Sequence, residues 1–369
     1  MQRRFSSRFS LLIGLAALTL FLNQAAFAED LKFLTFGGEG ELYVPIPIEN
    51  STLDGDRFRI RSVELTSHAD LSQWMPKLSG KLTLGADDAS GDLTFNIREA
   101  YVVATDLLDG LDLRAGKFYL PVGILNQTRR SAWSMISAPR PITLFFTDLG
   151  VVDSGLDLFY HSGEFAIRAG VTNGYRFDSS VNNGGTRPET PTHFARPEFS
   201  LQTGSSKLVL AADYLARVDD AGESLRIAGV DASLTPLDVT PTSWTAQIEL
   251  YHRSQHPLNL AVVENIGGYA FAEKGLSEKF AAGLRFDYYQ VPSLTDQTGS
   301  YRKNLILAVA PVFTYRSEGH MKFQAGYSYL RETRDGNAAR AEQVFELRYV
   351  AEFGDIPKSR TPTIGRSSL

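Results

Sequence analysis

The sequence predicts an all-β fold: a transmembrane antiparallel up-and-down β-barrel of about sixteen strands, spanning residues 29–353. Three observations predict it. Side chains alternate between apolar and polar along segment after segment, those segments run to ten to thirteen residues, and an export signal precedes them.

The export signal comes first in the chain. Arg3, Arg4 and Arg8 precede an apolar stretch from Leu11 to Leu22, and Ala26-Phe27-Ala28 then supplies a small-x-small cleavage site. This is the pattern of a signal peptide over residues 1–28, too short for a membrane span. Its removal takes away three arginines and no acid, so the remaining chain is more acidic than the −5 of the whole. That balance argues against a nucleic-acid partner, which needs a basic patch. The chain has no cysteine, so an exported fold must hold without disulfides. After Ala28 no run of eighteen apolar residues occurs, which excludes helical spans.

The alternation is clearest near the C-terminus. Phe345, Leu347, Tyr349, Ala351 and Phe353 share one face; Glu346, Arg348, Val350 and Glu352 share the other. Period two marks a strand. The pattern recurs in 321–329, 280–288, 208–217 and 244–250. A soluble sandwich also alternates, but its strands average about five or six residues, whereas tilted membrane strands need about nine to eleven. Aromatic residues such as Tyr160, Phe165, Phe313, Tyr315, Phe323 and Phe353 stand near strand ends, as in the aromatic girdles of membrane barrels.

Strands are expected near 32–44, 56–70, 77–87, 93–105, 111–119, 150–160, 164–175, 193–204, 206–218, 223–236, 241–255, 264–274, 279–291, 303–316, 319–331 and 341–353. The count is even, as bacterial single-chain barrels require. Counted back from the last strand, the connections sort by length. Tight ones such as Gly204-Ser205 fall on one side, the periplasmic one, and long polar ones on the other. Parity slips around 60–63 and around Arg98-Glu99-Ala100, and a β-bulge at each place would account for it.

One stretch goes beyond general barrel pattern. Arg57-Phe58-Arg59-Ile60-Arg61, Arg98-Glu99-Ala100-Tyr101-Val102, the hairpin Leu113-Arg114-Ala115-Gly116-Lys117-Phe118-Tyr119-Leu120-Pro121-Val122-Gly123, and Gly150-Val151-Val152-Asp153-Ser154-Gly155-Leu156 follow in order. Together they resemble the phosphate-selective porin O/P family and related outer-membrane porins. The resemblance covers about a third of the chain. It implies a sixteen-stranded pore in the outer membrane of a Gram-negative bacterium, an inward-folded third loop, and passive diffusion of small polar or anionic solutes. It further implies contact with membrane lipid, recognition by the barrel-assembly machinery through a terminal aromatic, which Phe353 fits, and assembly as a homotrimer. Members that bind phosphate use arginine and lysine clusters; this chain is acidic overall and poor in lysine. Residues 354–369, rich in proline, serine and basic side chains, read as a periplasmic tail.

The candidate site residues are cations. The connection 120–149 is too long to be a plain loop. Its Trp133, Met135, Ile136, Leu144, Phe145 and Phe146 demand burial, either inside the lumen or as a cap over its mouth. Arg129, Arg130 and Arg140 stand in it against Asp148 alone, and guanidinium groups in a narrow passage bind anions. The alternative is that they pair with acids of the wall. Arg57, Arg59 and Arg61 form a second cationic row, with Glu39 and Glu41 on the neighbouring strand to pair with it in part. Arg114 and Lys117 of the hairpin complete the set. Elsewhere inward cations such as Arg168, Arg285 and Arg348 nearly balance inward acids such as Asp157, Asp213 and Glu249.

No catalytic, cofactor or metal pattern is recognisable; His252 and His256 lack a third ligand. Two functions remain open: a diffusion channel, or an envelope scaffold, adhesin or receptor whose lumen the 120–149 loop seals. A plugged twenty-two-stranded receptor is disfavoured, because few residues precede the first strand.

Overall fold

A computed structural model describes residues 33–49, 58–88, 93–146, 150–174, 190–218, 224–237, 243–256, 262–291, 304–317, 320–334 and 339–354. Residues 1–28, expected as a signal peptide, and 355–369, expected as a tail, lie outside these residues, as does Arg57.

The strands are β1 (Leu34–Glu49), β2 (Arg59–Asp70), β3 (Leu78–Asp88), β4 (Leu93–Leu108), β5 (Leu111–Tyr119), β6 (Val152–Ser162), β7 (Phe165–Thr172) and β8 (Thr192–Thr203). The second half continues with β9 (Ser206–Val218), β10 (Ser224–Pro236), β11 (Trp244–His256), β12 (Val263–Gly275), β13 (Phe280–Val291), β14 (Asn304–Arg316), β15 (Met321–Arg334) and β16 (Arg340–Gly354). Each pairs antiparallel with its sequence neighbours, and β1 pairs with β16 to close the barrel. Closure leaves no unpaired edge, a requirement in hydrocarbon.

The period-two pattern sorts the side chains. Leu210, Ile248, Leu284, Phe286 and Leu347 face outward and are exposed, whereas Asp213, Glu249, Asp287 and Glu346, on the opposite parity of the same strands, are buried in the lumen. Outward aromatics gather at the short-turn end. Phe280 stacks on Phe313 at 5.5 Å, and Phe323 lies 4.6 Å from Tyr349. Turns at this end include Gly163-Glu164 and Gly204-Ser205, in which each glycine has φ +58, the left-handed geometry a two-residue hairpin needs.

Both expected bulges are present. Between β1 and β2 the pairing steps from Glu41↔Ser62 to Leu42↔Ile60, so Arg61 is the extra residue. Between β3 and β4 it steps from Thr83↔Glu99 to Leu84↔Ile97, so Arg98 is extra. β1 runs further than expected, through Pro45 and Pro47. Among the described residues, its pairing with β2 ends at Tyr43, and beyond that point it pairs only with β16. Proline lacks an N–H and is tolerated where one side of a strand needs no donor.

Candidate channel constriction

The connection after β5 folds into the barrel. It holds helix α1 (Gly123–Gln127), a single 3₁₀ turn (Arg130–Ala132) and helix α2 (Arg140–Phe145). Leu120, Val122, Leu125, Met135, Ile136, Ile142, Phe145 and Phe146 are buried, and they join one apolar cluster with the lumen-facing Ile227, Tyr251, Tyr269, Tyr289, Ile306 and Val312. The molecule's core thus lies inside the barrel, between loop and wall. Phe145 packs 5.8 Å from the Tyr251 ring and 5.7 Å from that of Tyr289. Wall glycines make room for the loop. A Cβ on Gly267 would come within 3.2 Å of the Phe145 ring, and one on Gly326 within 2.8 Å of Ile136.

Charge fixes the loop through its backbone. Wall carboxylates take its N–H groups: Glu249 accepts from Ile124 and Leu125 at 2.9 Å, Asp213 from Gly123 at 3.1 Å, and Asp287 from Arg140 at 3.0 Å. Wall donors take its carbonyls. Arg348 donates to Met135 at 2.9 Å and to Arg130, Lys322 to Trp133 at 2.8 Å, Arg61 to Ile136 at 2.8 Å and Gln324 to Ser134 at 2.7 Å. Short serine side chains add hydrogen bonds from Ser131 to Glu39, Ser134 to Glu273 and Ser137 to Glu346. A hydrogen bond to a charged group contributes about 1.5–3 kcal/mol. The set compensates for taking so many charges out of water.

Charges of the lumen wall also pair with one another. Lys81 meets Glu99 at 2.6 Å, Asp157 bridges Arg114 at 2.6 Å and Arg168 at 3.1 Å, and Arg196 joins Asp213 at 2.7 Å to Asp231 at 2.5 Å. Two spaces remain. A cavity of about 20 Å³ lies between the loop (Tyr119, Val122, Leu125, Arg130, Trp133, Ile142, Phe146) and the wall (Ser62, Glu64, Asp87, Arg98). A polar vestibule of about 530 Å³ opens toward the short-turn end, between Ser131 and Ser134 of the loop and Glu273, Arg316, Lys322 and Glu352. A cavity that admits one water needs about 10–15 Å³ by the same measure, so the narrower space is water-sized.

The expected site residues that are described fall into five groups. Arg130 lines the narrow cavity, with its guanidinium 5.6 Å from the Trp133 ring. Arg140 keeps an exposed side chain at the start of α2. Arg129, Arg61 and Arg114 are held by acids: Arg129 by Glu64 at 3.5 Å and Glu39 at 3.6 Å, Arg61 by Glu41 at 3.2 Å, Arg114 by Asp157. Arg129 and Arg114, 1% and 2% exposed, are therefore struts of the loop and the wall, not free anion contacts. Arg59 shares the inward row of Tyr43, whose hydroxyl reaches Glu346 at 2.6 Å. Lys117 departs from expectation. It pairs with Ala100 and Ser154, and Ala100 with the exposed Leu82, so Lys117 stands on the outward row, away from the lumen.

Sequence reasoning missed Glu64, Asp87 and Arg98, all buried at the narrow cavity. The bulge that puts Arg98 inward was detectable only as a lapse of parity.

Solved structures share the architecture. OprB of Pseudomonas putida superposes with a TM-score of 0.61 at 10% identity, covering 90% of this chain and 97% of its own. The fold is the porin fold. An anion-selective porin from Comamonas acidovorans gives 0.56 at 9% identity, covering 87% of this chain and 99% of its own. OmpT of Vibrio cholerae in a trimer form gives 0.56 at 12% identity over 87% and 99%. No protein-family model and no curated protein matches the sequence. These likenesses are of architecture.

Proposed function

We propose that the protein is an outer-membrane channel for passive diffusion of small polar or anionic solutes through a narrow constriction. The observation that carries this reading is the loop 120–146, folded inside a closed sixteen-stranded barrel and leaving a two-signed gap beside Arg98 and Arg130. Porin-type barrels narrow their pores in this way, and charge at the narrowest point decides which solutes pass. Anion preference rests on Arg130, which lines this gap, and on Arg140, whose side chain is exposed. The same reading takes residues 1–28 as a cleaved signal peptide, Phe353 as the assembly signal, outer-membrane lipid as the outward solvent and a homotrimer as the assembled form.

The test is conductance in planar bilayers under a salt gradient. Folded protein that gives discrete steps supports the reading, and folded protein that gives none overturns it. Exchanging Arg130 and Arg140 for glutamine should move the reversal potential toward cation preference; an unchanged potential would remove the loop arginines from the selectivity.

A second reading, a sealed scaffold or receptor, is favoured by one observation. The loop bonds to eight strands around the lumen, namely β1, β2, β9, β11, β12, β13, β15 and β16. It predicts liposomes impermeable to a small sugar.

A further inference from the structure

His252 and His256, four apart at the end of β11, have no place in the constriction. His252 shares the parity of Ile248 and Leu250, which are exposed, whereas Glu249, Tyr251 and Arg253 of the opposite parity are buried in the lumen. Its imidazole therefore stands on the outer wall. By the same parity Arg226 follows Val230 on β10, and Glu264 follows Ile266 on β12. Register sets these side chains next to one another. Arg226 pairs with Ser254 and Ser254 with Glu264, while His252, one step nearer the short turns, pairs with Ala228 and Ile266. His256, two residues beyond Ser254, is held by Ser224 at 3.3 Å.

The height of this row decides what it meets. Trp244, at the short-turn end of β11, pairs with Lys274, whose Nζ lies 5.3 Å from the centre of its ring, and marks one face of the membrane. Ser254 lies ten residues further along the strand. At about 3.4 Å per residue and a tilt of about 40°, that stretch spans about 26 Å, the height of the apolar band of an outer-membrane barrel. Arg226, Ser254 and Glu264 thus stand at the headgroup level of the leaflet opposite the short turns, and Ala228, Val230, Leu250 and Ile266 below them face hydrocarbon. The side chains of Arg226, His252 and Glu264 are exposed, and among the described residues they make no ion pair or hydrogen bond. Glu264 lies two strand spacings from Arg226, about 10 Å, and bounds the row on the β12 side.

A guanidinium fork, a hydroxyl and an imidazole N–H are all donors, and guanidinium binds phosphate bidentately. A lipid phosphate is held at this level by its own acyl chains, which lie against the small side chains beneath; a soluble anion has no such anchor. We propose that Arg226, Ser254 and His252 form a site on the outer wall for the phosphate of an outer-leaflet lipid, with Glu264 as its edge. This rests on the placement of the barrel in the outer membrane and not on conduction, so a barrel that failed to conduct would leave it standing.

The test heats the full chain, freed of lipid in a neutral detergent, in micelles alone, with lipid A, with lipid A stripped of its phosphates, and with inorganic phosphate at the same concentration. Heat-modifiable migration reads the midpoint at which the folded band is lost. Lipid A should raise the midpoint by several degrees, and the stripped lipid and inorganic phosphate should not. Arg226→Gln combined with His252→Gln should keep the wild-type midpoint in micelles alone and need about tenfold more lipid A for the same rise. Arg226→Gln alone should need several-fold more, and carries the test if the pair does not fold. Lys274→Gln, which removes an outward cation at the other end, should respond like wild type. Folded Arg226 variants that respond like wild type, or a wild type that lipid A leaves unmoved, overturn the site. An equal rise with the stripped lipid overturns the phosphate, and an equal rise with inorganic phosphate overturns the lipid.

Discussion

Glu249 Oε1 lies 2.9 Å from the backbone nitrogens of both Ile124 and Leu125, which precede it by 125 and 124 residues. The same carboxylate accepts from the hydroxyls of Tyr269 and Tyr251, each at 2.7 Å. One side chain from β11 thus satisfies the opening N–H groups of α1 and fixes where the loop crosses the lumen. Glu249→Ala removes all four bonds. At about 1.5–3 kcal/mol for each bond to a charged group, the docked loop should open at least about tenfold more often. Single-channel recordings should show a larger, noisier conductance, and limited proteolysis should cut faster within 120–146.

Gly123→Ala should give the same phenotype by a different route. Gly123 has φ +61, and a Cβ there would come 2.1 Å from the Tyr251 hydroxyl oxygen and 2.3 Å from Glu249 Oε2. Because both substitutions undo one docking contact, combining them should add little to either alone. Additive effects on proteolysis rate would show that the two residues act separately.

Arg348 is the strut on the opposite wall. It joins Glu41 of β1 and Gln324 of β15, both at 3.0 Å, to the loop carbonyls of Met135 and Arg130. Arg348→Met strands buried polar partners and should cost about 3–5 kcal/mol. The unfolding midpoint in denaturant should fall accordingly. Arg348→Lys should recover little, because an ammonium cannot span the same fork of acceptors.

Phe145→Ala empties the pocket between Tyr251, Tyr289 and Gly267, at a cost of about 3–5 kcal/mol to the loop's docking. The barrel itself should stay folded, since the sheet ladder does not involve this residue. Heat-modifiable migration should be unchanged while protease sensitivity of 120–146 rises. Loss of the folded band would place Phe145 in the barrel's own stability.

The barrel was legible because hydrocarbon outside and polar lumen inside impose period two on strands such as β16, where Phe345, Leu347 and Tyr349 oppose Glu346 and Arg348. The burial of the loop was legible from Trp133, Phe145 and Phe146, which water would not tolerate. Its docking surface was harder to see. Ile306, Ala308 and Val312 of β14 occupy the inward parity and are buried. An apolar inward face is the trace of a covered wall, but in sequence it reads only as a strand without clear alternation. The charge pairs depend on register between strands distant in sequence, such as Glu41 with Arg348, 307 residues apart. Lys117 shows the limit from the other side: its motif marked the hairpin, while only the pairing with Ala100 and Ser154 revealed its outward row.

The central claim is that the 120–146 loop lies across the lumen. Ser134 Oγ stands 3.0 Å from Glu273 Oε1 of β12, and the chain has no native cysteine. Cysteines introduced at Ser134 and Glu273 should therefore be joined by a short bis-thiol reagent in the folded, detergent-solubilised barrel. Near-complete intramolecular cross-linking is the predicted result. Free, separately alkylated thiols in folded protein would put the loop outside the lumen and contradict the account.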